Sequence, residues 1–115
     1  MPIQYIQGYW YYGKITLKVV PPVFIPRIES HDIVHLCEKT LKNQKLLDQK
    51  RISFLEIGPG TGAISCYLLY RNKNMEGKAV EIYKKAYDLT KENAIRILGD
   101  NYSNKFQVKH NNFEN

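Results

Sequence analysis

The amino-acid sequence predicts an α/β protein: the first βαβαβ half of a doubly wound parallel sheet, preceded by a β-hairpin and a helix. Three observations support this prediction. Short apolar runs alternate with stretches of helical periodicity through residues 52–110, as in parallel strands joined by helices. A glycine-rich loop separates the first of these strands from its helix. A period-two pattern nearer the amino end indicates a half-buried hairpin strand.

The hairpin is predicted in residues 9–20, "YWYYGKITLKVV", where two β-prone runs flank Gly13. Apolar and polar side chains alternate over residues 15–19, and Gly13 can adopt the backbone that a tight turn requires. The "PPVFIPR" segment that follows holds three of the five prolines, so no helix continues through it. We therefore predict a linker and β-hairpin in residues 1–28 and part of an α/β domain in residues 29–115.

A helical pattern begins at Glu29, and either Glu29 or Ser30 can cap the helix. Five residues at three- and four-residue spacing are predicted to share its core-facing side: Ile33, Val34, Leu36, Cys37 and Leu41. The two cysteines, Cys37 and Cys66, lie far apart without the spacing of a metal site. Each falls in an apolar helical pattern, where a free cysteine is expected to be a small core residue.

The run "ISFLEI" is short, apolar and without alternation, which is typical of a strand buried on both faces of a parallel sheet. A helix follows from Ala63 and ends at the turn "RNKNMEGK". "AVEI" predicts a second strand, "KKAYDLTKENAIRIL" a second amphipathic helix, and "FQVKH" a third strand. The core-facing residues of that second helix are predicted to be Ala86, Leu89, Asn93, Ala94 and Ile97.

The loop Gly58-Pro59-Gly60-Thr61-Gly62 is the principal candidate site. Its first glycine permits a tight turn, its second lets the backbone lie against a ligand, and its third lets the helix start close to the strand. Free N–H groups at the helix N-terminus are then expected to face the ligand. Three glycines at the carboxyl end of a strand favour a ligand site over a turn without a ligand.

Two ligand classes compete for this loop. Read as G-x-G-x-x-A it passes as a dinucleotide fingerprint, but the third glycine comes too early, and Pro59 removes an N–H that phosphate binding would use. Glu56 precedes the first glycine by two residues, where a carboxylate suits an amino-bearing ligand better than a pyrophosphate. Glu81 ends the second strand, where it can accept both hydroxyls of a ribose. S-adenosylmethionine has both features, because it is a nucleoside that carries an amino acid cation.

Three stretches, "PIQYIQGYWYYG…VVPPVFIPRIES", "FLEIGPGTGAIS" and "AVEIYKKAYDLTKENA", resemble in order and spacing the HemK-type release factor N5-glutamine methyltransferases. The resemblance covers nearly the entire chain, and "PPVFIPR" is most similar to the mitochondrial branch. It implies a Rossmann-like S-adenosylmethionine-dependent methyltransferase fold. It also implies methyl transfer to the Gln side-chain amide of the Gly-Gly-Gln motif in a peptide-chain release factor. The loop from Glu56 to Gly62 would hold the methionyl part of the cofactor, and Glu81 its ribose.

The chain departs from the family pattern in several places. Asn111 and Asn112 stand where the family has an Asp and a bulky residue near the adenine, so adenine contacts are expected there without a charge. His31 replaces the last acid of a family motif and is expected to be exposed rather than catalytic. The family polarises the substrate amide with an Asn-Pro-Pro-Tyr motif, which the 115 residues lack, so we predict no catalytic residue.

The sequence also predicts an exposed edge in the parallel sheet. The first strand of the parallel sheet should have an open edge and uncovered apolar surface, which favours aggregation. The sequence is therefore expected to be the cofactor-binding part of an enzyme and to be inactive by itself.

Lys and Arg outnumber Asp and Glu by 17 to 11, giving a formal net charge of +6 without a dense basic tract. This balance permits RNA or a location near the ribosome without requiring either. A release factor is the expected partner; no metal and no membrane contact is expected. The resemblance implies a mitochondrial location, with the cytoplasm as the alternative. Two other functions stay open: an amino-methyltransferase acting on RNA or DNA, and a non-catalytic interaction module.

Overall fold

The structure is a computed structural model that describes residues 8–12, 15–19, 21, 23, 28–45 and 51–111. Its elements in chain order are β1 (Tyr9–Tyr12), β2 (Ile15–Lys18), α1 (Ile28–Asn43), β3 (Ile52–Ile57), α2 (Ala63–Arg71), β4 (Met75–Glu81), α3 (Lys84–Leu98), a 3₁₀ turn (Tyr102–Asn104) and β5 (Phe106–His110). In the described ranges, β1 and β2 form an antiparallel hairpin, and β3, β4 and β5 form a parallel sheet with β4 in the centre. The predicted α/β class and βαβαβ order are confirmed.

Several predictions made for the amino-terminal part fall on residues that the structure does not describe. The predicted turn at Gly13 and the side chains of Glu29, Ser30 and His31 lie outside the described residues, as does most of "PPVFIPR". The hairpin strands themselves are described, and Trp10 pairs with Leu17 across them. Ile15 and Leu17 are buried in the same core cluster as residues of α2 and β4, so the hairpin packs on the α/β unit.

Strand β4 begins at Met75, earlier than predicted, because Met75 to Lys78 pair with β3 instead of forming a turn. The sequence predicts Gly77 as part of that turn, but the structure places it within the strand, where its lack of a side chain makes room for a neighbouring ring. A Cβ at Gly77 would lie 2.3 Å from Cζ of Phe54, whose ring occupies that space. A glycine in a strand can thus mark a close approach rather than a turn.

The core lies between the sheet and helices α2 and α3, which pack on one face of it. Side chains from the two layers meet there with almost no exposure, among them Cys66, Tyr67, Leu69, Ala79, Ala94 and Phe106. On the other face, Leu55 and Ile57 of β3 are 61% and 64% exposed. The prediction that β3 is buried on both faces is therefore wrong. Within the described residues β3 pairs with β4 alone, so the expected open edge is present.

Helix α1 buries less of its apolar side than its sequence pattern predicts. Val34 is fully buried and Leu41 partly buried, whereas Ile33, Leu36 and Cys37 are exposed. Only part of the apolar side of α1 contacts α2, so the remaining apolar side chains of α1 stay exposed. The prediction that Cys37 belongs to the core is wrong for that reason, and the same prediction is right for Cys66.

Candidate functional site

The glycine loop joins β3 to α2 at the carboxyl edge of the sheet. Gly58, Gly60 and Gly62 have φ of 69°, 62° and 85°, in the left-handed region that favours glycine. A Cβ at Gly62 would lie 3.0 Å from Cγ2 of Thr90 on α3, so this end of the loop is packed tightly. A Cβ at Gly58 would meet no atom within 4 Å, so that end is open.

The N–H groups of the three glycines are already engaged inside the chain. Gly58 donates to the carbonyl oxygen of Val80 (2.9 Å), Gly62 to that of Pro59 (2.9 Å), and Gly60 to Oε1 of Glu81 (3.1 Å). Of these three, only Gly62 lies at the N-terminus of α2, so its N–H is not free for a ligand; the expectation for the N–H groups that follow it stays a prediction. The glycines therefore lack the donors by which such loops hold a pyrophosphate.

Glu81 ends β4 as a buried carboxylate that is 4% exposed. Its Oε1 accepts from Gly60 N–H, and its Oε2 accepts from the N–H groups of Ile82 (3.0 Å) and Tyr83 (3.3 Å). A carboxylate offers about four acceptor positions, so roughly one is left for a hydroxyl outside the chain. The main-chain oxygen of Glu81 accepts from Asn111 N–H at 3.0 Å, which sets the end of β5 beside it.

Glu56, at the end of β3, accepts from both the hydroxyl and the N–H of Ser65 in the first turn of α2. Its carboxylate thereby caps the helix and lies at the positive end of the helix dipole. Burial raises the pKa of Glu56, and the nearby charge of Glu81 raises it further, while the bonds from Ser65 oppose the shift. Sequence reasoning missed Ser65, although a serine at the third position of a helix can signal such a contact.

The neighbouring carboxylates of Glu56 and Glu81 determine which class of ligand this edge of the sheet attracts. The charge of Glu81 disfavours the ionised form of Glu56, and a cationic group beside Glu56 would offset that effect. Gly58 leaves open space at the same edge. A nucleoside that carries an amino acid cation fits this combination, and a pyrophosphate does not.

The other predicted site residues are divided between the edge of the sheet and the packed interior. Pro59 is buried and Thr61 is 2% exposed, so their side chains support the loop from inside. Asn111 is exposed next to Glu81. Asn112 lies outside the described residues.

Two further observations concern the described part of the chain as a whole. No group of three or more His, Cys, Asp or Glu side chains there is placed to hold a metal ion. In the same residues, no helix has both the length and the apolar character needed to cross a membrane.

Comparison with known proteins identifies relatives over most of the chain, although no protein-family model matches it. The human MTRF1L release factor glutamine methyltransferase is 39% identical over 99 residues, which are 84% of this chain and 29% of that protein. The release factor glutamine methyltransferase of Lactococcus lactis is 37% identical over 81% of this chain and 32% of its own length. That of Bacillus subtilis is 32% identical over 84% of this chain and 33% of its own. The chain thus spans about a third of these relatives.

Solved structures with the same arrangement of elements share little sequence with the chain. The N-terminal domain of human METTL16 matches with a TM-score of 0.65 and 20% identity, over 86% of this chain and 37% of its own. Human methyltransferase 10 domain containing protein matches with a TM-score of 0.62 and 19% identity, over 84% and 45%. At such identities the likeness establishes the fold. It is the Rossmann-like fold of S-adenosylmethionine-dependent methyltransferases, so the predicted fold class is confirmed.

Proposed function

Because this chain is homologous to the release factor glutamine methyltransferases, we propose that its glycine loop binds S-adenosylmethionine. We propose further that it serves methyl transfer to the Gln side-chain amide of the Gly-Gly-Gln motif in a peptide-chain release factor. The observation that carries the proposal is the pair of carboxylates, Glu56 and Glu81, at adjacent strand ends beside the open Gly58.

Each residue at this edge has a separate part in the proposed binding. Glu56 attracts the amino group of the methionyl part, because a cation offsets the cost of its partly buried charge. Glu81 has about one acceptor position left, so it is proposed to bind one ribose hydroxyl rather than the two expected from the sequence. Asn111 is proposed to contact the adenine through an amide without a charge, and the bond from its N–H to the main-chain oxygen of Glu81 supports this role. Pro59 and Thr61 hold the loop in shape rather than contact the ligand through their side chains.

The proposed part of this chain in the reaction is to hold the methyl donor. When bound, S-adenosylmethionine supplies an electrophilic methyl group on a sulfonium. The amide nitrogen of the acceptor is a poor nucleophile and needs acceptors that take its hydrogens. The sequence contains no Asn-Pro-Pro-Tyr motif, and we assign that task to none of its residues.

The binding site is tested by calorimetric titration with S-adenosylmethionine and S-adenosylhomocysteine. We expect saturable binding by the wild type and a loss on the order of tenfold to a hundredfold in Glu81→Ala, since a hydrogen bond to a charged group is removed. Glu76→Ala is the matched control, because Glu76 lies on the same strand and bonds instead to Arg51 and Ser53. Equal affinity in Glu81→Ala and wild type, with the same circular dichroism spectrum, would refute the site.

The acceptor is tested by transfer of a tritiated methyl group to a release factor, with RNA as a competing acceptor. We expect the chain by itself to label neither, because none of its residues is assigned to polarise the amide. Label in the release factor that disappears when the Gln of Gly-Gly-Gln is replaced would show that such a residue is present. Label in RNA would favour an amino-methyltransferase that acts on nucleic acid.

Location in the cell remains a prediction from the resemblance. We propose the mitochondrion, with the cytoplasm as the alternative and a position near the ribosome compatible with the net charge of +6. Fractionation of cells that express the tagged protein distinguishes the two compartments.

A further inference from the structure

Asn93 of α3 is a fully buried amide whose bonds reach two separate parts of the fold. Its Oδ1 accepts from the N–H of Lys18 at 2.7 Å, and its Nδ2 donates to the carbonyl of Lys18 at 3.0 Å. The same Nδ2 donates to the carbonyl of Thr61 in the glycine loop at 2.8 Å. The side chain thus pairs with both backbone groups of one strand residue, as a neighbouring strand would, and also holds the loop.

Thr90 lies three residues earlier on α3 and provides a useful contrast. Its hydroxyl donates to the carbonyl of Gly60 at 2.8 Å, and it is fully buried. Together Thr90 and Asn93 hold two consecutive carbonyls of the loop. Of the hydrogen bonds described for these two side chains, only those of Asn93 also reach the β1–β2 hairpin.

A second link joins the same strand residue to α3, but it is of a different kind. Nζ of Lys18 forms an ion pair with Glu92 at 2.9 Å, and the two side chains are 41% and 54% exposed. An exposed pair of this type contributes little and is screened by salt. The buried amide is costly to leave unpaired, so its three bonds are expected to be kept or lost together.

We propose that Asn93 is a positioning residue of the ligand site, coupling the β1–β2 hairpin to the glycine loop so that a ligand bound at the loop also stabilises the hairpin at Lys18. This inference rests on the proposed binding of S-adenosylmethionine. It adds to that function a residue that contacts no ligand and acts through the carbonyl of Thr61.

The coupling without ligand is tested by amide hydrogen exchange measured by NMR on the whole chain. Asn93→Leu removes all three bonds with little change of volume, and we expect faster exchange at both Lys18 N–H and Gly62 N–H. Thr90→Val should speed exchange at Gly62 alone, and Glu92→Gln should change neither. Faster exchange at only one of the two sites in Asn93→Leu would overturn the coupling.

The ligand response is tested with S-adenosylhomocysteine as the probe. In the wild type we expect saturation to slow exchange at Lys18 N–H on the order of tenfold. Thr90→Val should bind S-adenosylhomocysteine more weakly than the wild type, but at saturation its exchange at Lys18 N–H should slow by the same factor. Glu92→Gln should show that same slowing at saturation. In Asn93→Leu the affinity should fall on the order of tenfold, and Lys18 N–H should no longer respond. A merely structural role would lower stability without removing this response.

The outcomes separate this inference from the function on which it rests. Absence of binding by the wild type refutes the proposed function, and exchange in the free chain then decides the coupling. Binding without any response at Lys18 N–H refutes the coupling alone. If Asn93→Leu does not fold, the wild-type side-chain NH₂ signal of Asn93 replaces it as the probe. That signal should exchange more slowly when ligand is bound, and unchanged exchange would overturn the proposal.

Discussion

The two faces of the parallel sheet differ in how far their apolar side chains are buried, although the apolar strand β3 contributes to both. On the face beneath α2 and α3, Phe106 and Ala79 are fully buried. On the opposite face, Leu55 and Ile57 are more than half exposed. Both helices lie on the same side because successive right-handed crossovers in one direction place them there. An apolar run therefore identifies a strand but does not determine how many of its faces are covered.

The largest expected effect comes from deleting a side chain on the covered face. Phe106→Ala should lower the free energy of unfolding by about 3–5 kcal/mol, because a fully buried ring leaves a cavity. Ile57→Ala on the open face should cost less than about 1 kcal/mol. Urea denaturation with both variants measures the difference. Similar losses would contradict the assignment of the two faces.

A second effect on the covered face comes from adding an atom. Gly77→Ala places a Cβ where the ring of Phe54 lies, and the crowding should cost about 1–3 kcal/mol. Phe54→Leu in the same chain should relieve part of that cost. A double-mutant cycle measures the coupling, and simple additivity of the two changes would show that the ring moves aside freely.

A third effect depends on pH and compares two carboxyls of neighbouring strands. The pKa of Glu56 is raised above 4.5, mainly by burial, so the folded state binds its proton more tightly than the unfolded state does. Its contribution to stability is therefore greatest at low pH and is lost as pH rises from 4.5 through the folded pKa. Glu56→Gln keeps an acceptor for Ser65 and should raise stability near pH 7 by about 0.5–2 kcal/mol.

Glu76 serves as the control, because its pKa is shifted in the direction opposite to that of Glu56. Bonds from Ser53 and Arg51 lower its pKa, so its contribution is present above 4.5 and is lost as pH falls through the folded value. Glu76→Gln should therefore lose stability relative to wild type at pH 7 and approach it in acid. Urea denaturation between pH 3 and 8 compares the two variants. Parallel pH profiles for the two would contradict the different environments described for these carboxyls.

The smallest effect on stability is expected at the open face. Leu55→Ser should change the free energy of unfolding by less than about 0.5 kcal/mol, but it should reduce self-association through the uncovered edge strand. Leu36→Ser is a matched control, because Leu36 of α1 is 61% exposed, as Leu55 is. Sedimentation velocity at increasing concentration measures the association. Equal reduction by both variants would show that the edge strand has no special part.

By itself the sequence determined the order of strands and helices, the position of the glycine loop and the carboxylates at two strand ends. These features depend on local periodicity and on the backbone preferences of glycine and proline, which neighbouring residues largely decide. The family resemblance, carried by contiguous stretches, is confirmed by relatives that are 31–39% identical.

Only the tertiary structure decided which apolar faces are covered and where the polar groups of the loop find partners. Asn93 reaches Lys18 across 75 positions of sequence, and Glu81 reaches Gly60 across 21. Those contacts leave no local pattern, so the sequence predicts Asn93 only as one member of a core-facing stripe and gives no sign that Gly60 N–H bonds to Glu81. Packing of α3 against both the loop and the hairpin brings these groups together, since buried polar atoms must find partners wherever the fold provides them.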